Sequence, residues 1–168
     1  MVALDEEVKT SWSNVQTQYQ RRSDLIPNLV NTVKGFAAQE KEVLVGVTEA
    51  RAKASSIQVS ADNLNPAMLQ QFQAAQGELS SALSRLLVTV ERYPELKSDQ
   101  NFLELQAQLE GTENRIAVAR DRFNASVQKY NTKIRSFPTN IMAGMFGFET
   151  KTQFQADAAA QDAPDVVF

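Results

Sequence analysis

Four charged side chains occupy positions where the surrounding pattern is otherwise apolar. Arg22 and Glu40 interrupt a series of apolar residues spaced by threes and fours, and Glu113 and Arg120 interrupt a second such series. Because an unpaired buried charge is costly, we expect these residues to form a polar network in a helical core. The network could serve as a binding site or proton relay between helices. We favour a structural role, in which the network sets the helix alignment or the side chains reach solvent.

The residue types that are absent restrict the chemistry further. The 168 residues include no histidine and no cysteine. This excludes Ser-His-Asp and Cys-His catalytic sites, His- or Cys-ligated zinc sites, and disulfides. An enzyme would have to work with carboxylates, Arg, Lys and Tyr alone, and the few glycines match no phosphate-binding loop. We therefore predict no catalytic residues, no cofactor and no metal.

The charge balance gives no sign of a nucleic-acid partner. The chain has 17 basic and 20 acidic residues, for a net charge of −3. Basic residues outnumber acids towards the end of the last long helical segment: Arg115, Arg120, Arg122, Lys129, Lys133 and Arg135. They could bind phosphates or anionic headgroups, but they spread around the helix and lack interleaved aromatics. We favour a solvated surface and expect no nucleic acid.

Apolar spacing predicts an all-α protein of three long helices with short connections. The first runs from Leu4 to Ala54 as one continuous apolar stripe, and the others span 66–93 and 99–135. Asn65 and Asp99 are predicted to cap the starts of the second and third helices. Pro27 predicts a bend within the first helix, because proline removes a hydrogen bond and crowds the preceding turn. Alternatively, Asp24 caps a new helix with Pro27 in its first turn. The result is an up-and-down antiparallel bundle, with four helices if the bend or a short C-terminal helix is counted.

Helix lengths place the bend relative to the rest of the bundle. The second helix spans roughly 40 Å, and the same length measured back from the loop near Ser55 reaches about Asp24. The bend should therefore lie level with the Tyr93–Lys97 turn, leaving Leu4–Tyr19 overhanging. Its apolar face needs a cover, which could be supplied by folding back as a fourth helix, by a partner or by a second copy.

An apolar segment follows the last long helix. Residues 137–148 include Ile141, Met142, Met145, Phe146 and Phe148. They could close the end of the bundle, or form a patch for a membrane surface or a partner helix. We assign residues 1–148 to one helical domain and 149–168 to a polar, flexible tail. No stretch approaches the ~18 apolar residues that a membrane span requires.

Several short segments are similar to a known family. The first contains Arg21, Arg22, Asp24, Pro27 and Asn28 within Gln20–Val30, and follows Leu4–Val8 and Trp12. Later segments contain Tyr93 and Pro94, Glu113 and Arg115, Tyr130 and Asn131, and Phe137 and Pro138. Together they resemble the signature of the bacterial LemA family over residues 2–148, and the long ungapped first segment makes the resemblance specific.

The resemblance implies a membrane-anchored helical bundle, with a transmembrane helix just before the position of Val2. We therefore expect this chain to be the domain without its anchor, at a bacterial cell membrane, facing either side. The resemblance transfers no catalytic residues. The leading hypothesis is a non-enzymatic scaffold or interaction module with a protein partner or self-association. The second is a sensor of small ligands or ions that uses the buried charges near the bend, and an enzyme comes third.

Overall fold

The computed structural model describes residues 1–154 and confirms an all-α bundle over that range. Four long helices form its body, accompanied by two shorter α-helices and a 3₁₀ turn at Ala61–Asn63. In chain order the α-helices are α1 (Val2–Phe36), α2 (Lys41–Ser56), α3 (Pro66–Val90), α4 (Pro94–Lys97), α5 (Gln100–Arg135) and α6 (Thr139–Phe146).

Side-chain caps define the starts of α3 and α5 as the sequence predicts. The Asn65 side chain accepts a hydrogen bond from the Met68 backbone N–H at 2.8 Å, and Pro66 is the first helical residue. The Asp99 carboxylate accepts from the Phe102 N–H at 3.1 Å. Pro27 lies inside α1, which continues past it to Phe36, so the alternative of a new helix capped by Asp24 is wrong.

The predicted continuous helix from Leu4 to Ala54 is in fact two helices. The chain reverses at residues 37–40, where the Ala37 N–H bonds to the Val33 carbonyl at 2.8 Å and the Glu40 N–H to the Ala37 carbonyl at 3.0 Å. Gly35 weakens the last turn of α1, since glycine is a poor helix former. Apolar spacing did not reveal this turn, because the spacing continues across it. The buried residues on either side are Val33, Ala37, Leu44 and Val47.

This turn also corrects the predicted alignment of the bundle. The Tyr93 hydroxyl lies 2.8 Å from a carboxylate oxygen of Glu40, so the α3–α4 corner meets the α1–α2 turn and not Pro27. Residues 4–19 do not overhang. They pack against α5, which runs antiparallel to α1, as ion pairs show at Glu7–Lys129 (3.5 Å) and Arg22–Glu113 (3.1 Å). No fold-back or partner is needed to bury Val8, Trp12 and Val15, which are at most 1% exposed.

The apolar core consists of two clusters that follow one another along α1. The first surrounds Val8 to Tyr19 and includes Phe72 and Phe123. The second begins at Ile26 and includes Leu79 and Leu86. Between them α1 buries two polar residues, Arg22 and Ser23. A polar layer therefore separates the two halves of the core.

The segment after α6 returns to the bundle. The Phe154 ring lies 5.9 Å from that of Trp12 and 5.6 Å from that of Phe123, and Phe154 is only 6% exposed. Its N–H bonds to the Asn124 side chain at 2.8 Å, as the Lys151 N–H does to Asn131 at 2.7 Å. Residues 149–154 thus pack on the domain that was predicted to end at 148. The rest of the predicted tail, 155–168, lies outside the described residues.

Replacing Phe154 with alanine should destabilise the bundle by about 3–5 kcal/mol, because the change removes a buried ring from an aromatic cluster. Phe146→Ala is the matched control, since Phe146 is 69% exposed. Urea unfolding followed by circular dichroism measures both. Equal stability of the two variants would contradict the packing of residue 154.

The Asp5 carboxylate gives the same region a dependence on pH. It lies 3.0 Å from Lys151 and 3.3 Å from Lys9. Partial burial acts to raise the pKa of Asp5, but the two lysines together hold it below its ordinary value of 3.8. A depressed carboxylate pKa stabilises the fold above the unfolded-state value, and this contribution is lost as the pH falls through the folded-state value.

Asp5→Asn should therefore lower the free energy of unfolding at pH 7 by up to about 1 kcal/mol. The difference from the unaltered protein should shrink below about pH 4. Urea titrations between pH 7 and pH 3 measure it. A difference that stays constant or grows on acidification would show that the ion pairs are not its source.

Candidate functional site

The polar layer between the two core clusters is centred on the Arg22 side chain, which is 1% exposed. Its Nη1 donates to the Ser80 hydroxyl at 2.7 Å and to a Glu113 carboxylate oxygen at 3.1 Å. Its Nη2 donates to the Gln76 side-chain oxygen at 2.7 Å and to the Gln76 carbonyl at 3.1 Å. One side chain of α1 thus bonds to both α3 and α5.

These bonds occupy the terminal nitrogens of the guanidinium with internal partners. Its Nε is buried and lacks a hydrogen-bond partner among the described residues. The Glu113 side chain is 42% exposed, so the ion pair extends from the core to the surface. Both terminal nitrogens of the guanidinium are held by partners within the bundle. Its geometry suits alignment of the three helices.

Arg120 lies next to this cluster, near the Tyr19 hydroxyl. Its guanidinium carbon lies 4.6 Å from the centre of the Phe154 ring, while that of Arg22 lies 5.1 Å from the Tyr19 ring. Burial raises the pKa of the Tyr19 hydroxyl, and the nearby Arg120 and Arg22 only partly oppose this. Tyr19 therefore stays protonated at neutral pH and separates the two arginines.

Glu40 belongs to a different part of the molecule. It accepts the Tyr93 hydroxyl hydrogen at 2.8 Å, and the Gln39 side chain donates to the same hydroxyl oxygen at 2.8 Å. The bond to Glu40 is the main reason that the pKa of Tyr93 is raised. Pro94 follows as the exposed first residue of α4. We call this group the Tyr93 corner. Glu40 thus lies apart from the Arg22–Glu113 pair, with which it was predicted to share one network.

Five further residues of the signature lie on the surface. Arg21, Asp24, Pro27, Asn28 and Arg115 are exposed. The Gln20 side chain donates to Asp24 at 2.8 Å. Arg21, Asp24 and Arg115 line a shallow groove between α1 and α5.

The apolar segment around α6 both closes the bundle and exposes a patch. Ala143 is buried and Phe148 packs on the first core cluster. The other side chains point to solvent, with exposures between 56% and 79%: Phe137, Ile141, Met142, Met145 and Phe146. We call these five the α6 patch. Part of the segment therefore closes the end of the bundle, while five large apolar side chains remain exposed.

Sequence reasoning missed Gln76 and Ser80, the partners of Arg22 on α3. The sequence did contain a signal for Gln76. The buried residues of α3 include the series 69, 72, 76, 79, 83, 86 and 90, and Gln76 is its polar member among apolar side chains. An apolar face drawn through Met68, Ala75 and Ala82 passes beside Gln76. Ser80 gave no such signal, since a serine on a helix surface is unremarkable.

None of the helices within residues 1–154 combines the length and apolar character needed to cross a bilayer. Over the same range, no three acidic side chains gather as they would around a metal ion.

Fold and site together define an antiparallel helical bundle whose core is divided by a buried arginine. The chain belongs to the LemA family, whose model matches residues 11–168. It is 28% identical over 184 residues to magnetosome protein MamQ 2 of Paramagnetospirillum magneticum, covering 97% of this chain and 66% of the relative. It is 26% identical over 150 residues to protein LemA of Metamycoplasma hominis, covering 89% and 65%. The chain thus spans just under two thirds of the length of these relatives.

Arg22→Met should lower the free energy of unfolding by about 1–3 kcal/mol. The methionine keeps much of the volume, but it leaves the buried Gln76 side chain and the Ser80 hydroxyl without their donor. Arg21→Met, the same change at the exposed neighbouring position, should cost less than about 0.5 kcal/mol. Chemical unfolding of both variants measures the difference.

Glu113→Gln provides a second comparison for the same cluster. It should cost under about 1 kcal/mol, because this carboxylate is half-exposed and water can replace much of the interaction. A loss as large as that of Arg22→Met would mean that the ion pair, and not the bonds to α3, carries the stability.

Proposed function

We propose that this protein is a non-enzymatic scaffold of a bacterial membrane, in which the bundle presents its surface to a protein partner. The observation that carries the proposal is the difference between the two ends of the bundle. One end exposes the α6 patch, whose five members are large apolar side chains. The opposite end carries the hydrogen-bonded Tyr93 corner, flanked by exposed Lys41 and Lys97. Such an asymmetric body suits a module that faces an apolar environment at one end and an aqueous partner at the other.

Family membership supports the membrane part of this proposal. A relative is named as a magnetosome protein. The resemblance to the LemA family implies an anchored helical bundle. Self-association through the first segment has less support, because Val8 and Val15 are already buried within the chain. The proposed partner is therefore a different protein, contacted through the outer surface.

The sensor hypothesis receives less support from the geometry. A ligand of Arg22 would have to displace Gln76, Ser80 or Glu113, since these groups occupy both terminal nitrogens. Arg120, the other charged candidate near the cluster, lies over the Phe154 ring. Arg120 also lines an open cleft with Tyr19 and Ser80, so it is the more accessible of the two guanidiniums.

Crosslinking in native cells tests the proposal. After fractionation the protein should be found with the membranes, and a lysine-reactive reagent should join Lys41 or Lys97 to the same neighbour in repeated experiments. The double variant Lys41→Arg/Lys97→Arg keeps the charge but removes the reactive amines, so these crosslinks should disappear. Lys53→Arg is the control, because Lys53 pairs with Glu78 midway along the bundle at 3.0 Å.

Two results would contradict the proposal. The first is recovery of the protein in the soluble fraction. The second is the absence of any reproducible crosslinked neighbour of Lys41 or Lys97 in the membrane fraction.

A further inference from the structure

We propose that the α6 patch docks on the surface of an anionic lipid bilayer, with Lys133 and Arg135 beside the headgroups. This inference deepens the proposed function and rests on its membrane association. It concerns a lateral contact of an exposed helix with lipid, which is separate from any segment that crosses the bilayer.

The patch has the composition of an interfacial helix. Ile141 and Met145, and Met142 and Phe146, are i, i+4 pairs, so they form two neighbouring rows along α6. Phe137 adds a further ring that is 79% exposed. No charged residue stands between Arg135 and Glu149, so the whole segment can enter an apolar boundary without desolvating a charge. Phenylalanine and methionine side chains are well suited to burial in that boundary.

The patch lies at one end of the bundle. Because α5 is antiparallel to α1 and Glu7 pairs with Lys129, the last turn of α5 lies opposite the first turn of α1. α6 follows directly after that turn, and Val2 at the start of α1 is itself 69% exposed. An end, unlike a long side, can approach a planar surface without burying the rest of the molecule.

The charges at this end favour anionic lipid. The acidic residues in the first turns of α1 already form ion pairs with lysines. Asp5 pairs with Lys9 and Lys151, and Glu7 pairs with Lys129. Lys133 and Arg135, in the last turn of α5, are exposed and form no ion pair with a carboxylate of residues 1–154. Basic residues near a membrane surface each contribute about 1 kcal/mol of attraction to anionic lipid.

The size of the patch argues against a second copy or another protein as its occupant. Stable protein interfaces involve about 20–30 residues on each side. The α6 patch has five large apolar side chains on and beside an eight-residue helix. A bilayer makes no such demand, since it conforms to a small protruding group and binding grows with each buried apolar side chain.

Vesicle flotation tests the inference with the 168-residue chain. Vesicles of phosphatidylcholine containing a third phosphatidylglycerol should carry the protein upward, and pure phosphatidylcholine vesicles should carry at least fivefold less. Met145→Ser/Phe146→Ser should reduce binding to the anionic vesicles at least tenfold. The control Val45→Ser/Val88→Ser removes exposed apolar side chains from α2 and α3, which are 52% and 68% exposed, and should bind normally.

Lys133→Gln/Arg135→Gln should weaken binding to anionic vesicles and abolish the preference over neutral ones. Circular dichroism should show the same melting temperature for all variants, because every substituted side chain is exposed. Absence of flotation on anionic vesicles, or equal binding by the patch and control variants, would overturn the inference.

Light scattering tests whether a second copy of the chain occupies the patch instead. A dimer that Met145→Ser/Phe146→Ser dissociates would identify the patch as a contact between copies and would also overturn the inference. Failure of flotation together with membrane recovery and crosslinks in native cells would reject the lipid contact alone and leave the scaffold proposal standing.

Discussion

The buried charge of Arg22 sets the alignment of the bundle. A guanidinium in an apolar core is costly unless hydrogen bonds offset its desolvation. Here both terminal nitrogens of Arg22 donate such bonds, to Gln76 and Ser80 on α3 and to Glu113 on α5. Sliding either helix by one turn, about 5.4 Å, would separate those atoms and leave the cation unpaired. The apolar contacts alone would tolerate such a shift more readily, because aliphatic side chains pack without directional bonds. We infer that the polar layer contributes specificity of register more than net stability.

The two halves of the core differ in how they are closed. The half around Trp12 is rich in rings, and its indole N–H donates to the Val59 carbonyl at 2.8 Å, which ties the 57–65 connection to α1. Phe154 then completes that half from outside the helices. The other half is mostly aliphatic and ends at the Tyr93 corner. Each half therefore depends on a non-helical or one-turn segment to exclude water at its edge.

Helix periodicity and capping residues were enough to predict the all-α class and the caps at Asn65 and Asp99. They placed Arg22 on an apolar face but left open whether its side chain is buried or reaches solvent. They did not reveal the turn at residues 37–40, because a tight reversal between antiparallel helices can keep the apolar spacing in phase. Because this turn was missed, Pro27 was predicted at the wrong level of the bundle, and residues 4–19 were predicted to lack a packing partner within the chain. The partners of Arg22 and the return of Phe154 depend on contacts between distant segments, which spacing along one helix cannot report.

The unbroken length of α1 has a further consequence for the geometry of the molecule. Its 35 residues extend about 50 Å, and the chain begins at one end of it and reverses at the other. If the α6 end rests on lipid, the Tyr93 corner stands well outside the headgroup layer, several screening lengths from its charge at physiological salt. A partner that meets the corner there would sense little of the surface potential. The bundle would then act as a rigid spacer that sets the height at which neighbouring proteins meet.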